Sequence, residues 1–153
     1  ERLQPEPALY PADPYLYGRA IWLEEYADTI LASPMGGGIF RPIFFNLMQK
    51  KEPDLVTAKK TWNEDLPPIF DYLEGELTSG QGSNGFFVGD SISIADVAVM
   101  SMLVLIELVA GVPDASRWPS LVAFFEQMAA RPSVQATLSI CKKIAKQQFD
   151  LSA

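Results

Sequence analysis

The chain has 153 residues, of which 48% are hydrophobic and 20% charged, the composition of an ordinary globular domain with room for a real core. Its formal charge of −7 argues against generic binding to a phosphate backbone. It has no histidine and a single cysteine, Cys141, which excludes His-based triads, His-rich metal sites and any intrachain disulfide.

Residues 1–12 carry Pro5, Pro7 and Pro11 and predict an extended linker. No apolar h-region marks a signal peptide. The chain opens on Glu1 rather than Met and reads as a piece of a longer protein. Asp13-Pro14 predicts a helix start, with Asp as N-cap and Pro at the first helical position. That helix runs to about Ala32, before Ser33-Pro34 and a break at Gly36-Gly37-Gly38. A shorter apolar segment follows from Ile39 to Met48. Ala20, Leu23, Ala27, Ile30 and Leu31 form one apolar stripe on the first helix. Tyr15, Trp22 and Tyr26 lie on a second face, offset by roughly 200°. Two such faces imply that both sides are covered: Trp22 either packs on other helices of the domain or faces a cleft or a partner subunit.

Asp54 predicts the cap of a second long helix, Leu55 to about Leu77, with Val56, Ile69, Tyr72, Leu73 and Leu77 as apolar markers and a kink at Pro67-Pro68. Thr78 to Gly85 is a Gly/Ser/Asn loop. Then Ser93-Ile94-Ala95-Asp96 fits a capping box with Asp in place of the usual Glu or Gln. The Ser93 hydroxyl accepts from the Asp96 N–H, the Asp96 carboxylate reaches back to the Ser93 N–H, and Ile92 with Val97 forms a hydrophobic staple. The run from Val97 to Ile106 is apolar nearly all round, so it predicts a central helix buried on every side. Asp96, Ser101 and Glu107 interrupt it, and it falls short of the about 20 clean residues of a membrane span. A buried helix start needs protein partners for its free N–H groups, which accounts for the polar cluster in front of the apolar run.

Val112-Pro113-Asp114 ends that helix, Trp118-Pro119 starts another with Leu121, Phe124, Phe125 and Met128 at helical spacing, and Arg131-Pro132 starts a shorter one with Val134 and Leu138. Cys141, between Ile140 and Ile144, reads as a buried inert thiol. Its lone occurrence suits a reducing compartment. Lys142, Lys143 and Lys146 read as a solvated helix face. No stretch alternates with period two, so the fold class is all-α.

Three segments carry a family resemblance. "FFVGDSISIADVAV" resembles the capping-box region that opens the central buried helix of the glutathione S-transferase C-terminal domain. "RWPSLVAFFEQMAARPSVQATL" is similar to that family's closing helix, and "LYPADPYLYGRAIWLEEYAD" to its interdomain linker and first helix. They occur in the family's order and cover most of the chain. The resemblance implies an all-α bundle around a central buried helix at 13–153, with 1–12 the tail of a preceding thioredoxin-like domain and a linker. It implies a cytoplasmic, bacterial-style glutathione transferase as the parent enzyme. Such a parent joins glutathione, as co-substrate and with no further cofactor, to a hydrophobic electrophile in detoxification. The thiol-activating residue belongs to the preceding domain, so no catalytic residue and no metal ligand is expected here, and this chain alone is expected to be inactive.

The resemblance further implies a homodimer, with neither nucleic acid nor membrane as partner. It places Leu31, Met35, Ile39 and Phe40, with Trp22, on a hydrophobic substrate wall made mobile by the triple glycine. It makes Asp28 a candidate partner for the glutathione α-ammonium, with Glu24, Glu25 and Thr29 close by. Ser93 and Asp96 are structural. The same helical domain also serves as a non-enzymatic interaction module in translation factors, synthetase complexes and a stringent-starvation-type transcription regulator, which stands as the alternative function.

Overall fold

The computed structural model describes residues 3, 5–79, 82–144 and 148–152. Among these the regular structure is helical, and the one departure is an isolated bridge between Gly82 and Gly89. The all-α expectation holds.

The first helix, α1, spans residues 14–48 without the expected break. It starts as an α-helix at Pro14–Tyr26. It continues through wide, π-type turns at Ala27–Leu31 and Ser33–Phe45, and closes with one α-turn at Asn46–Met48. Asp13 caps it as expected: its Oδ1 accepts from the N–H groups of Tyr15 at 3.0 Å and Leu16 at 2.9 Å. Pro34 and Pro42, which have no N–H to donate to a helix ladder, both lie in these wide turns, Pro34 at the start of the second one. The wide turns also change the side-chain period. Leu23, Ala27, Leu31, Met35, Ile39 and Ile43 recur at a strict spacing of four, and all six are fully buried. Ile30, assigned to the core stripe on an α-helical period, is therefore turned out and half exposed.

The triple glycine does not break the helix, and its last member is a packing device. Gly38 lies against the next helix, where an added Cβ would stand 2.4 Å from Thr61 Oγ1. That next helix, α2, runs as Leu55–Lys60, a wide turn at Thr61–Asp65, and Leu66–Thr78. Asp54 caps it, accepting from the Thr57 N–H at 3.0 Å. The change of hydrogen-bonding pattern falls immediately before Pro67-Pro68, where a kink is expected. Val56, taken as an apolar marker, is 83% exposed, because Ala58 holds the inward position of this first turn.

The third helix, α3 (Ile94–Glu107), packs on α1 and forms the centre of the core. The expected capping box is present. Asp96 is fully buried. Its Oδ2 accepts from the Ser93 N–H at 2.7 Å and from the Ser93 hydroxyl at 2.9 Å, and its Oδ1 accepts from the Phe87 N–H at 2.9 Å. The carboxylate thus ties the loop before the helix to the helix start. Burial pushes the Asp96 carboxyl above its ordinary range, against these three donors.

The expectation that α3 is buried on every side needs correction. Val97 is 40% exposed, Ser101 is exposed and Val104 only half-buried, so one stripe at helical spacing remains open. The fourth helix, α4 (Pro119–Ala129), buries Leu121, Phe124, Phe125 and Met128. The fifth, α5 (Pro132–Ile144), is the longer of the two, not the shorter. On it Cys141 is half-buried and Lys142 does not simply face solvent. Its Nζ lies 2.7 Å from Oε1 of Glu107, a carboxylate buried at the end of α3. Lys143 is exposed, and Lys146 lies outside the described residues.

Candidate functional site

The α1 helix divides the expected site residues between two environments. Leu31, Met35 and Ile39 occupy the four-residue stripe and have no exposed surface, so they are core rather than an open wall. The wide turns that continue the helix through Ser33-Pro34 turn these positions inward. Phe40, one position further round, is half-buried, with its ring stacked on Phe44 at 4.8 Å between centroids and 19° between planes. Asp28 is exposed on the first wide turn. Beside it, the Thr29 hydroxyl donates to the Glu25 carbonyl at 2.5 Å.

Trp22 is 54% exposed, and its indole N–H donates to the Tyr72 hydroxyl of α2 at 2.8 Å. The Tyr26 ring lies against that of Tyr72, with centroids 4.5 Å apart and planes tilted by 36°. Arg19 forms an ion pair with Glu76 on the same seam. The second aromatic face of α1 therefore contacts α2 along one edge and leaves much of Trp22 and Tyr15 uncovered. Burial, and then the Tyr72 side chain, holds the Tyr26 phenol above its ordinary value, opposite to the shift that activates a phenol.

Among the described residues, two of the concavities flank this framework. One, about 580 Å³, lies on the α1–α2 seam and is lined by Ile30, Pro34, Gly38, Thr61, Asp65 and Ile69 among others. It is the hollow left where Gly38 lets the two helices approach and Ile30 turns outward. The other, about 540 Å³, lies over the open stripe of α3. Ile92, Val97, Ser101, Val104, Met128 and Val134 form much of its wall, with Arg131 at its side. The expected staple pair, Ile92 and Val97, faces this groove, so Val97 is not sealed by the cap. Among the described residues no cluster of His, Cys, Asp and Glu is placed to hold a metal ion, and no helix is long and apolar enough to cross a membrane.

Three organising residues escape a reading by local spacing. Glu74 of α2 caps α4 from a distance: its two carboxylate oxygens accept from the N–H groups of Ser120 at 3.0 Å and Leu121 at 2.8 Å. Asp71, one turn earlier, accepts from the Trp118 indole N–H at 2.7 Å and from Arg117 at 2.8 Å. Asn63, in the wide turn of α2, donates to the carbonyls of Lys59 and Leu151. The sequence signals only that α4 needs a distant cap, since Trp118 cannot cap the helix it precedes; it does not signal that Glu74 supplies it.

Comparison with known proteins gives one consistent result. The family model described as "Glutathione S-transferase, C-terminal domain" matches residues 38–139. The glutathione S-transferase P of Macaca mulatta is 35% identical over 83 residues, 54% of this chain and 39% of that protein. Among solved structures, FzlA from C. crescentus superposes with a TM-score of 0.78 at 22% identity, over 91% of this chain and 59% of that one. A glutathione S-transferase from Rhodospirillum rubrum F11 superposes with a TM-score of 0.75 at 18% identity, over 88% and 58%. The chain thus spans less than two thirds of each protein it resembles.

Proposed function

The chain belongs to the glutathione S-transferase C-terminal domain family, and from that premise we propose that it is the helical half of a cytoplasmic, homodimeric glutathione transferase. In such a parent the glutathione thiolate attacks the electrophilic carbon, a C–S bond forms, and the displaced group leaves with the bonding electrons. Thiol activation lies with a preceding thioredoxin-like domain that residues 1–12 would join to the helices at 13–153. The helical domain supplies apolar enclosure, which desolvates the electrophile, and a subunit interface.

One observation carries this reading. Most of the chain's most apolar helix is buried or half-buried, but Val97 and Ser101 are exposed and, with the half-buried Val104, open into a largely apolar groove of about 540 Å³. A helix of this composition is expected to be covered all round. We take the groove as the seat of the preceding domain. Within the substrate region Phe40 and Trp22 keep accessible surface and serve as contacts, whereas Leu31, Met35 and Ile39 form the packed backing that sets their position. Asp28 is free to reach the glutathione α-ammonium, a charge-assisted pair. The seam hollow at Ile30, Pro34 and Ile69 forms part of the two-fold interface.

The test compares the 153-residue chain with its full-length parent, using glutathione and an activated aryl halide. The parent turns over, the chain alone does not, and Val97→Asp in the parent separates the domains and lowers turnover. Turnover by the chain alone at a rate near the parent's overturns the assignment. The alternative, a non-enzymatic interaction module, uses the same groove for a different protein. It gains if the folded parent binds no glutathione.

A further inference from the structure

The end of the bundle where α1 turns into α2 differs in charge from the rest of the protein. Residues 41–60 hold five of the chain's 12 cationic residues against two carboxylates, a local charge of +3 in a chain of −7. Lys59 is half-buried and lies within electrostatic reach of Asp150. The other four, Arg41, Lys50, Lys51 and Lys60, are exposed, and none is in an ion pair among the described residues. Asp54, one of the two acids, is exposed but engaged as the cap of α2.

Large apolar side chains stand exposed among these cations. Phe45 is 45% exposed, Leu47 40%, Met48 67% and Val56 83%. Phe45 lies within 6.2 Å of Phe40 and 6.4 Å of Phe44 between ring centroids, so it projects from a firm aromatic base.

The turn itself has an unfavourable residue choice. The Lys51 N–H bonds the Asn46 carbonyl at 2.9 Å, closing the C-terminal turn of α1, and the residue inside that turn, Lys50, has φ +57°. That conformation favours glycine, and a lysine holds it at a cost. A cation kept where glycine fits better points to a role for its charge.

We propose that this end of the domain is a peripheral docking surface for an anionic lipid bilayer. The apolar residues stand exposed on the last turns of α1 and the first turn of α2. Such a tip has little to offer a protein partner, which needs a complementary hollow to bury it, but a bilayer surface deforms around it. Phe45, Leu47, Met48 and Val56 enter the headgroup–acyl boundary, and Arg41, Lys50, Lys51 and Lys60 stay at the headgroups. The net negative charge of the remaining chain is screened beyond about 8 Å at physiological ionic strength. No spanning helix is involved.

The experiment measures co-sedimentation of the 153-residue chain with vesicles of phosphatidylcholine alone and with 30 mol% phosphatidylglycerol added. Binding is expected only with the anionic lipid, and it weakens on raising salt. Lys50→Gln with Lys51→Gln weakens it about 25-fold, about fivefold per lysine. Leu47→Ser with Met48→Ser weakens it about tenfold or more. Lys50→Gly weakens binding while raising the melting temperature, which separates charge from folding. Equal partitioning into both vesicle types, or wild-type partitioning by the two double variants with unchanged melting, overturns the proposal. So does capture by polyglutamate that survives the Leu47→Ser, Met48→Ser change, because the surface would then recognise acidic peptide.

Discussion

Replacing Asp96 by Ala removes one acceptor group from three donors in a fully buried site. Two of those donors are backbone N–H groups, those of Ser93 and Phe87, and neither has water in reach once the carboxylate is gone. A buried unsatisfied donor costs about 1–3 kcal/mol, and loss of a helix cap about 0.5–2 kcal/mol. The Ser93 N–H is counted in both, so the sum is reduced to about 3–4 kcal/mol. For a chain of this size each kcal/mol moves the midpoint by about 2–4 °C, which gives a fall of about 10 °C in melting temperature. Asp96→Asn keeps one acceptor oxygen but turns an NH2 toward the other donors, so it falls between wild type and Ala. The same group sets a pH dependence. Its folded pKa is raised by burial, so its contribution is fully present below the ordinary carboxylate value and is lost as pH rises through the shifted one. Asp96→Asn abolishes that part of the profile. Thermal melting of the chain from pH 4 to 8, with steady-state kinetics on the parent, checks both. Melting left unchanged while turnover is abolished would refute the structural role and make Asp96 a catalytic carboxylate.

Further outcomes follow from the packing and the tertiary cap. Gly38→Ala forces a Cβ against Thr61 and is expected to destabilise by about 1–3 kcal/mol, with part of the loss recovered in combination with Thr61→Ala, as read by urea unfolding. Glu74→Ala uncaps α4 and is expected to cost about 1–2 kcal/mol in the same assay, although Glu74 lies more than 40 residues from that helix in sequence. The Trp118 indole N–H, then Arg117, hold the Asp71 carboxyl below its ordinary value. Its folded pKa is depressed, so its stabilisation is present above the unfolded carboxylate value and is lost as pH falls through the lower one. Asp71→Asn therefore flattens the acid limb of the stability profile, measured by melting between pH 2 and 5.

What the sequence revealed and what it hid separate along a physical line. The caps at Asp13, Asp54 and Ser93–Asp96 were legible because a cap is local chemistry: a short side chain, a backbone donor two or three residues on, and an apolar run behind. The register of α1 was not, because its period changes partway. At an α-helical spacing Ile30 falls among core residues and Ser33-Pro34 with three glycines reads as a break. At the four-residue spacing of the wide turns the same letters give one unbroken stripe from Leu23 to Ile43. Met35 and Ile39 then move from a substrate wall into the core, and the glycines from a mobile loop into the helix, with Gly38 against its neighbour. The bonds of Glu74, Asp71 and Phe87 were hidden for a different reason, since each joins residues that only the folded topology brings together. The open stripe of α3 shows where these two kinds of information meet. Composition demands that Val97 and Val104 be covered, and the folded chain leaves Val97 exposed and Val104 only half-buried. In the reading proposed above, that cover is supplied by the surface of a preceding domain.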